Sequence, residues 1–141
     1  MKQHTDSVGD HLADRYAIED LVYTYNHAID RRDAVLFESL WMPDARCGSM
    51  IGRDAIVAAL VSTAQKFADL NHLTTNLVIQ IDGANAHARS KSLAMRRLVG
   101  SDLPGPLTVV LYEDDFVRDG PLWKFRRRTF TADLLGRSGE A

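Results

Sequence analysis

The 141-residue chain reads as an α+β fold, with helices first and an antiparallel sheet second. Three observations point there. Ile18, Leu21, Val22, Tyr25 and Ile29 recur at spacings of three and four, which marks one apolar helical stripe. From Leu73 onward the period changes: Leu73, Leu77, Ile79 and Ile81 alternate with polar neighbours, as a half-buried strand requires. Asp82-Gly83 and Asp119-Gly120 are turn signals between long strand candidates. Helices grouped ahead of a hairpin-connected sheet pack on one of its faces, and the sheet is mostly antiparallel.

The first helix is expected from Asp10 or Ala13 to Arg31. Asp33 is a candidate N-cap for a short second helix carrying Leu36, Phe37 and Leu40. Met42-Pro43-Asp44 ends that helix, because proline disfavours helix in the residue before it. A short strand follows over Ala45 to Met50. Asp54 opens a third helix with Ile56, Val57, Leu60, Val61, Ala64 and Phe67 on one face. After the strand around Leu73 come three more: Ala86 to Val99, Leu107 to Arg118 after a loop with two prolines, and Leu122 to about Leu134. Residues 1–10 and Arg137 to Ala141 read as loose tails. The whole chain is taken as one domain with a core over about residues 12–134.

Composition sets bounds on function. The hydrophobic fraction of 45% and charged fraction of 26% are those of an ordinary globular protein. A net charge of −2 with interspersed signs argues against a nucleic-acid or anionic-membrane surface. The first residues lack an apolar signal core, and no run approaches the ~18 apolar residues that span a bilayer. A cytoplasmic protein is expected. Cys47 is the only cysteine, so no internal disulfide forms; it reads as a buried small hydrophobe rather than a nucleophile.

Candidate chemistry centres on His72, the side-chain type whose unperturbed pKa lies near neutrality, and on Asp30, an isolated acid at the end of the first helix. Strand alternation puts His72, Thr74 and Asn76 on one face, which is either solvated or lines a polar cavity. Asp30 lies about 115° from the centre of the apolar stripe on a helical wheel. It is either a solvated acid or a partnered one, and a helix C-terminus is a poor place for an unpartnered carboxylate. Tyr25 sits on the stripe itself. In the third strand of the sheet Tyr112 and Asp114 share one face and Glu113 and Asp115 the other; Asp115 is the reserve acid–base candidate. Of Arg126, Arg127 and Arg128, only part can turn inward, and an inward arginine would bind or polarise an electronegative group. No glycine-rich phosphate loop, serine elbow or HExxH helix is present. The histidines at positions 4, 11, 27, 72 and 87 lack zinc-site spacing, so no metal is expected.

Several local marks occur together and in order. They are Ile18-Glu19-Asp20-Leu21, Asp30-Arg31-Arg32-Asp33, Trp41-Met42-Pro43-Asp44-Ala45, Gly52-Arg53-Asp54-Ala55-Ile56, His72 with Thr75-Asn76, Asp82-Gly83, and Tyr112 to Phe116 before Gly120-Pro121-Leu122-Trp123-Lys124-Phe125. With them the chain resembles the nuclear transport factor 2-like superfamily, in its SnoaL-like branch, over about residues 12–133. The resemblance implies a cone: a curved sheet with three N-terminal helices packed on its concave face.

Among enzymatic members the chain is most similar to scytalone dehydratase, bile-acid 7α-dehydratase and hexachlorocyclohexane dehydrochlorinase. They eliminate through an Asp–His pair without metal or organic cofactor. By that resemblance Asp30 and His72 match the pair, Tyr25 matches the dehydratase tyrosine and Arg128 the dehydrochlorinase arginine. The dehydrochlorinase has tryptophan where Cys47 falls, and scytalone dehydratase's second histidine has no counterpart, so no one substrate carries over. The resemblance implies a cofactor-free lyase or isomerase acting on a small hydrophobic, cyclic molecule. His72, Asp30 and Tyr25 are then catalytic, and Asn76, Arg128, Cys47, Tyr112 and Asp115 bind substrate. Two alternatives stand beside it: a polyketide-cyclase-like enzyme using Asp115 or Asp114, and a non-catalytic cone like the small subunits of ring-hydroxylating dioxygenases. Association as a homodimer or homotrimer is implied as well.

Overall fold

A computed structural model describes residues 8–133. Of the tail expected over residues 1–10, residues 8–10 are helical instead; the rest of it, the tail from Arg137 on and Leu134 lie outside the described residues. Three helices, α1 (Val8–Asp30), α2 (Ala34–Ser39) and α3 (Arg53–Ala64), accompany six strands. These are β1 (Trp41–Cys47), β2 (Met50–Ile51), β3 (Phe67–Asp82), β4 (Asn85–Leu98), β5 (Thr108–Asp119) and β6 (Leu122–Asp133). They form one sheet in the order β2-β1-β6-β5-β4-β3. Every pairing is antiparallel except β1 with β6. The α+β expectation therefore holds. Among the described residues no helix is long and apolar enough to cross a membrane.

The helical stripe packs as its period requires. Ile18, Leu21, Val22, Tyr25 and Ala28 are buried on α1, which crosses β3 and β6. Phe37, Trp41, Phe116 and Phe125 complete an aromatic centre around Tyr25, with ring centroids 4.8–6.1 Å apart. Each such pair contributes about 0.5–1.5 kcal/mol beyond simple burial. Past Asp30 the chain turns sharply through Arg32, whose φ of 57° is left-handed. The Arg32 guanidinium donates to the carbonyls of Phe67 and Ala68, at 2.6 and 3.0 Å. This clamp ties the end of α1 to the start of β3. Asp33 caps α2, accepting from the Leu36 N–H at 2.9 Å.

Four boundaries or faces differ from expectation. First, β1 begins at Trp41, directly after α2, and Pro43 lies inside it. The β1–β6 register breaks between Trp41 and Arg46, so the missing proline N–H interrupts no recorded pair. Second, β3 begins at Phe67, so Phe67 leaves α3 and His72 is mid-strand rather than at a strand start. The low strand propensity of Asp69 and Asn71 concealed this segment. Third, Val61 of α3 is exposed.

The fourth difference bears on the site. A bulge interrupts β3 between Thr75 and Val78, and Asn76 there has a φ of 54°. One extra residue reverses the side-chain alternation. Leu70, His72 and Thr74 face inward before the bulge; Leu77, Ile79 and Ile81 do so after it. Leu73 consequently lies on the outer face, 56% exposed, and does not share a face with Leu77 and Ile79. Asn76 is exposed at the bulge and leaves the His72 face altogether. A similar irregularity in β6 separates Phe125, opposite Phe116, from Arg127, opposite Asp115. Arg126 and Arg127 both emerge to solvent, and Arg128 alone turns in.

Candidate active site

Between the helices and the concave sheet face lies a cavity of about 290 Å³. Its walls are mainly apolar, from Ile29, Phe37, Met50, Ile56, Leu60, Leu70, Val110 and Phe130. Alternate positions of β4 face inward, and Ala94 among them lines the cavity. Ala86, Ala88, Ser90, Ser92 and Ala94 are buried, and all are small. Into this space face His72, Tyr25, Tyr112, Cys47 and Arg96.

Helix α1 and strand β3 are joined by two side-chain rungs. Asn26 Nδ2 donates to Thr74 Oγ1 at 2.8 Å, and Asp30 meets His72. Four residues of helix rise about 6 Å and two residues of strand about 6.6 Å, so one pair of rungs brings the other into register. Asp30 uses both carboxylate oxygens. Oδ2 accepts from the His72 backbone N–H at 2.9 Å, and Oδ1 lies 2.5 Å from the His72 ring nitrogen Nδ1. Both side chains are mostly buried, at 13% and 19% exposure. A carboxylate can only accept, so Nδ1 carries the proton and Nε2 of the neutral ring keeps its lone pair. The arrangement can hold a base at Nε2 on an apolar cavity.

Tyr25 and Tyr112 have their phenols pushed above the ordinary range. For Tyr25 burial is the largest cause and Tyr112 adds to it, while Arg128 pulls the other way. For Tyr112 burial again leads, with Arg128 opposing. Both therefore remain protonated and can donate a hydrogen bond. Burial also raises the Cys47 thiol, to about 11 against the pull of Arg128. It is a thiol at neutral pH, as a small hydrophobe in the cavity wall should be.

Arg128 does not reach the cavity, contrary to its expected role in binding substrate. It is 1% exposed and pairs with the equally buried Asp114, its cross-strand neighbour, through Nε–Oδ1 and Nη2–Oδ2 contacts of 2.7 Å each. Burial works against its charge, but Asp114 outweighs that and holds it cationic. The guanidinium lies behind the tyrosines, 4.1 Å from the Tyr25 ring centroid and 3.9 Å from that of Tyr112. A buried cation needs such a partner, which explains why it is turned to Asp114.

Asp115 is a further correction. It faces outward, accepting from His87 Nδ1 at 2.9 Å and Arg127 Nε at 2.7 Å. Neither it nor the paired Asp114 lines the cavity. Among the described residues no three His, Cys, Asp or Glu side chains converge as a metal-binding group would.

A family model for the SnoaL-like domain matches residues 10–129. The chain belongs to the SnoaL-like family. An uncharacterized protein of Mycobacterium tuberculosis is 28% identical over 126 residues, covering 85% of this chain and 86% of that one. Among solved structures, a scytalone dehydratase-like protein from Novosphingobium aromaticivorans superposes with a TM-score of 0.82 at 24% identity, covering 91% of this chain and 89% of that one. A LinA-type3 hexachlorocyclohexane dehydrochlorinase from Novosphingobium barchaimii superposes with a TM-score of 0.77 at 23% identity, covering 91% and 92%. These structural likenesses are likenesses of fold.

Within this SnoaL-like domain Asn26 and Arg96 escaped the sequence reading, and Thr74 was placed on the His72 face but given no partner. Asn26 and Thr74 were visible as an i, i+4 and i, i+2 companion to Asp30 and His72. Arg96 ends the alternating run of small residues from Ala86, a pattern that marks the inward face of β4.

Proposed function

We propose that this SnoaL-like protein is a lyase or isomerase of the dehydratase type, working without a cofactor on a small, hydrophobic, ring-bearing molecule. The observation that carries the reading is the 2.5 Å contact between Asp30 Oδ1 and His72 Nδ1, on the wall of a mainly apolar cavity. His72 Nε2 takes a proton from a carbon next to an electron-withdrawing group. The electron pair of that C–H bond forms a double bond as a hydroxyl or halide departs, or an enolate if nothing departs. Asp30 stabilises the imidazolium and keeps its Nε2 edge toward substrate, the role carboxylates take in triads. Tyr25, held protonated, donates a hydrogen bond to the departing oxygen or the developing enolate. The imidazolium returns its proton to the leaving hydroxyl as water, to solvent when a halide has left, or to another carbon in isomerisation.

The polyketide-cyclase alternative loses support because neither Asp114 nor Asp115 lines the cavity. A screen of hydroxylated cyclic ketones and thioesters, followed by ultraviolet absorbance, tests the proposal. Formation of a conjugated double bond by the wild-type protein supports it; no turnover across such a panel counts against it.

A further inference from the structure

Arg96 is the one permanently charged side chain among the described residues lining the cavity. It is half-buried. Its Nη2 donates to Thr108 Oγ1 at 2.6 Å, and its guanidinium carbon lies 5.6 Å from the Phe67 ring centroid. No carboxylate pairs with it among the described residues. Arg97, next to it in β4, pairs with Asp69, and on β6 Arg127 pairs with Asp115 and Arg128 with Asp114. No carboxylate lines the cavity among the described residues, and Asp30, which meets His72 there, uses both its oxygens on that residue.

A guanidinium against an apolar cavity, with a neutral partner on one side only, leaves donors to offer. Low-dielectric walls strengthen its field, and its planar fork matches a carboxylate better than it matches a neutral oxygen. Its place relative to the base follows from the register. His72 is opposite Ala94, and Leu70 is opposite Arg96. Diagonal neighbours of this kind are about 7–8 Å apart. A group held by Arg96 therefore lies several bonds from the carbon that meets His72 and serves as a handle rather than as the activating group.

We propose that the cavity selects a small ring-bearing carboxylic acid, its carboxylate held by Arg96 and its ring directed toward His72. This rests on reading the cavity as the substrate site. Calorimetric titration tests it with benzoate, cyclohexanecarboxylate and naphthoate, each beside its own carboxamide, and with phenyl phosphate. At least one acid should bind the wild-type protein about tenfold or more tighter than its amide, the scale of a charge-assisted hydrogen-bonded pair. Arg96→Met should erase the preference while keeping the amide's affinity, and Arg96→Lys should retain part of it. Circular dichroism checks the fold of both variants, and the lysine variant carries the test if the methionine variant unfolds. The preference should persist in His72→Gln, which separates this proposal from the catalytic one. No acid out-binding its amide, a preference surviving in Arg96→Met, or phenyl phosphate out-binding every acid would overturn it.

Discussion

Asp30 holds His72 twice, by the backbone N–H through Oδ2 and by the imidazole Nδ1 through Oδ1. One carboxylate thus fixes both the strand position and the ring orientation. The two tasks separate by substitution. Asp30→Asn can still accept from the backbone but loses the charge that favours the imidazolium. Turnover is expected to fall about 10²-fold or more with the fold kept. Asp30→Ala leaves the His72 N–H unpaired as well and should also cost about 1–2 kcal/mol in urea denaturation. Equal turnover in Asp30→Asn and wild type would remove Asp30 from the mechanism.

Tyr25 is assigned as a donor, so its hydroxyl and its ring make different contributions. Tyr25→Phe keeps the ring contacts with Phe37 and Phe125. Its kcat should drop about 10²-fold, the order of one lost donor at a developing negative charge. Steady-state kinetics beside a thermal melt check this. A loss of stability with kcat unchanged would mean that Tyr25 only fills the core.

The Asp114–Arg128 pair is structural in this account. Removing either partner strands a buried charge, so Asp114→Ala and Arg128→Met should each cost about 3–5 kcal/mol. The double variant should be less destabilised than the sum of the singles. A urea double-mutant cycle measures this, and strict additivity would show that the two do not act as a pair.

Asp115 gives a pH signature. Burial pushes its carboxyl up, but hydrogen bonds from His87 and Arg127 outweigh that and hold it below the ordinary range. A carboxyl depressed by folding adds stability that is present above its unfolded value, about 4, and is lost as pH falls through the folded value. Wild type should therefore melt above Asp115→Asn near pH 7, and the two curves should converge below about pH 4. The difference should be small, because the side chain is 34% exposed. Melting curves that stay parallel over that range would contradict the assignment.

Much of the fold was legible because its signals are local. The stripe of α1, the Asp33 cap and the turns at Gly83 and Gly120, both at left-handed φ, are each encoded within a few residues. The β3 and β6 bulges were not, because a bulge is decided by pairing with a neighbouring strand. They moved Asn76 out of the site and set Arg128 alone inward. The Asp30–His72 pairing spans forty-two residues, so no local pattern reveals it. The family resemblance supplied it, and the Asn26–Thr74 rung explains it. Arg96 carries no local signal, because its meaning depends on the cavity that it lines.

In the proposed reaction His72 is the base. Once the screen supplies a substrate, the decisive measurement is its turnover by His72→Gln beside wild type, with the fold checked by circular dichroism. Turnover should fall about 10²- to 10⁴-fold with the structure intact. Turnover equal to wild type in a folded His72→Gln protein would contradict it.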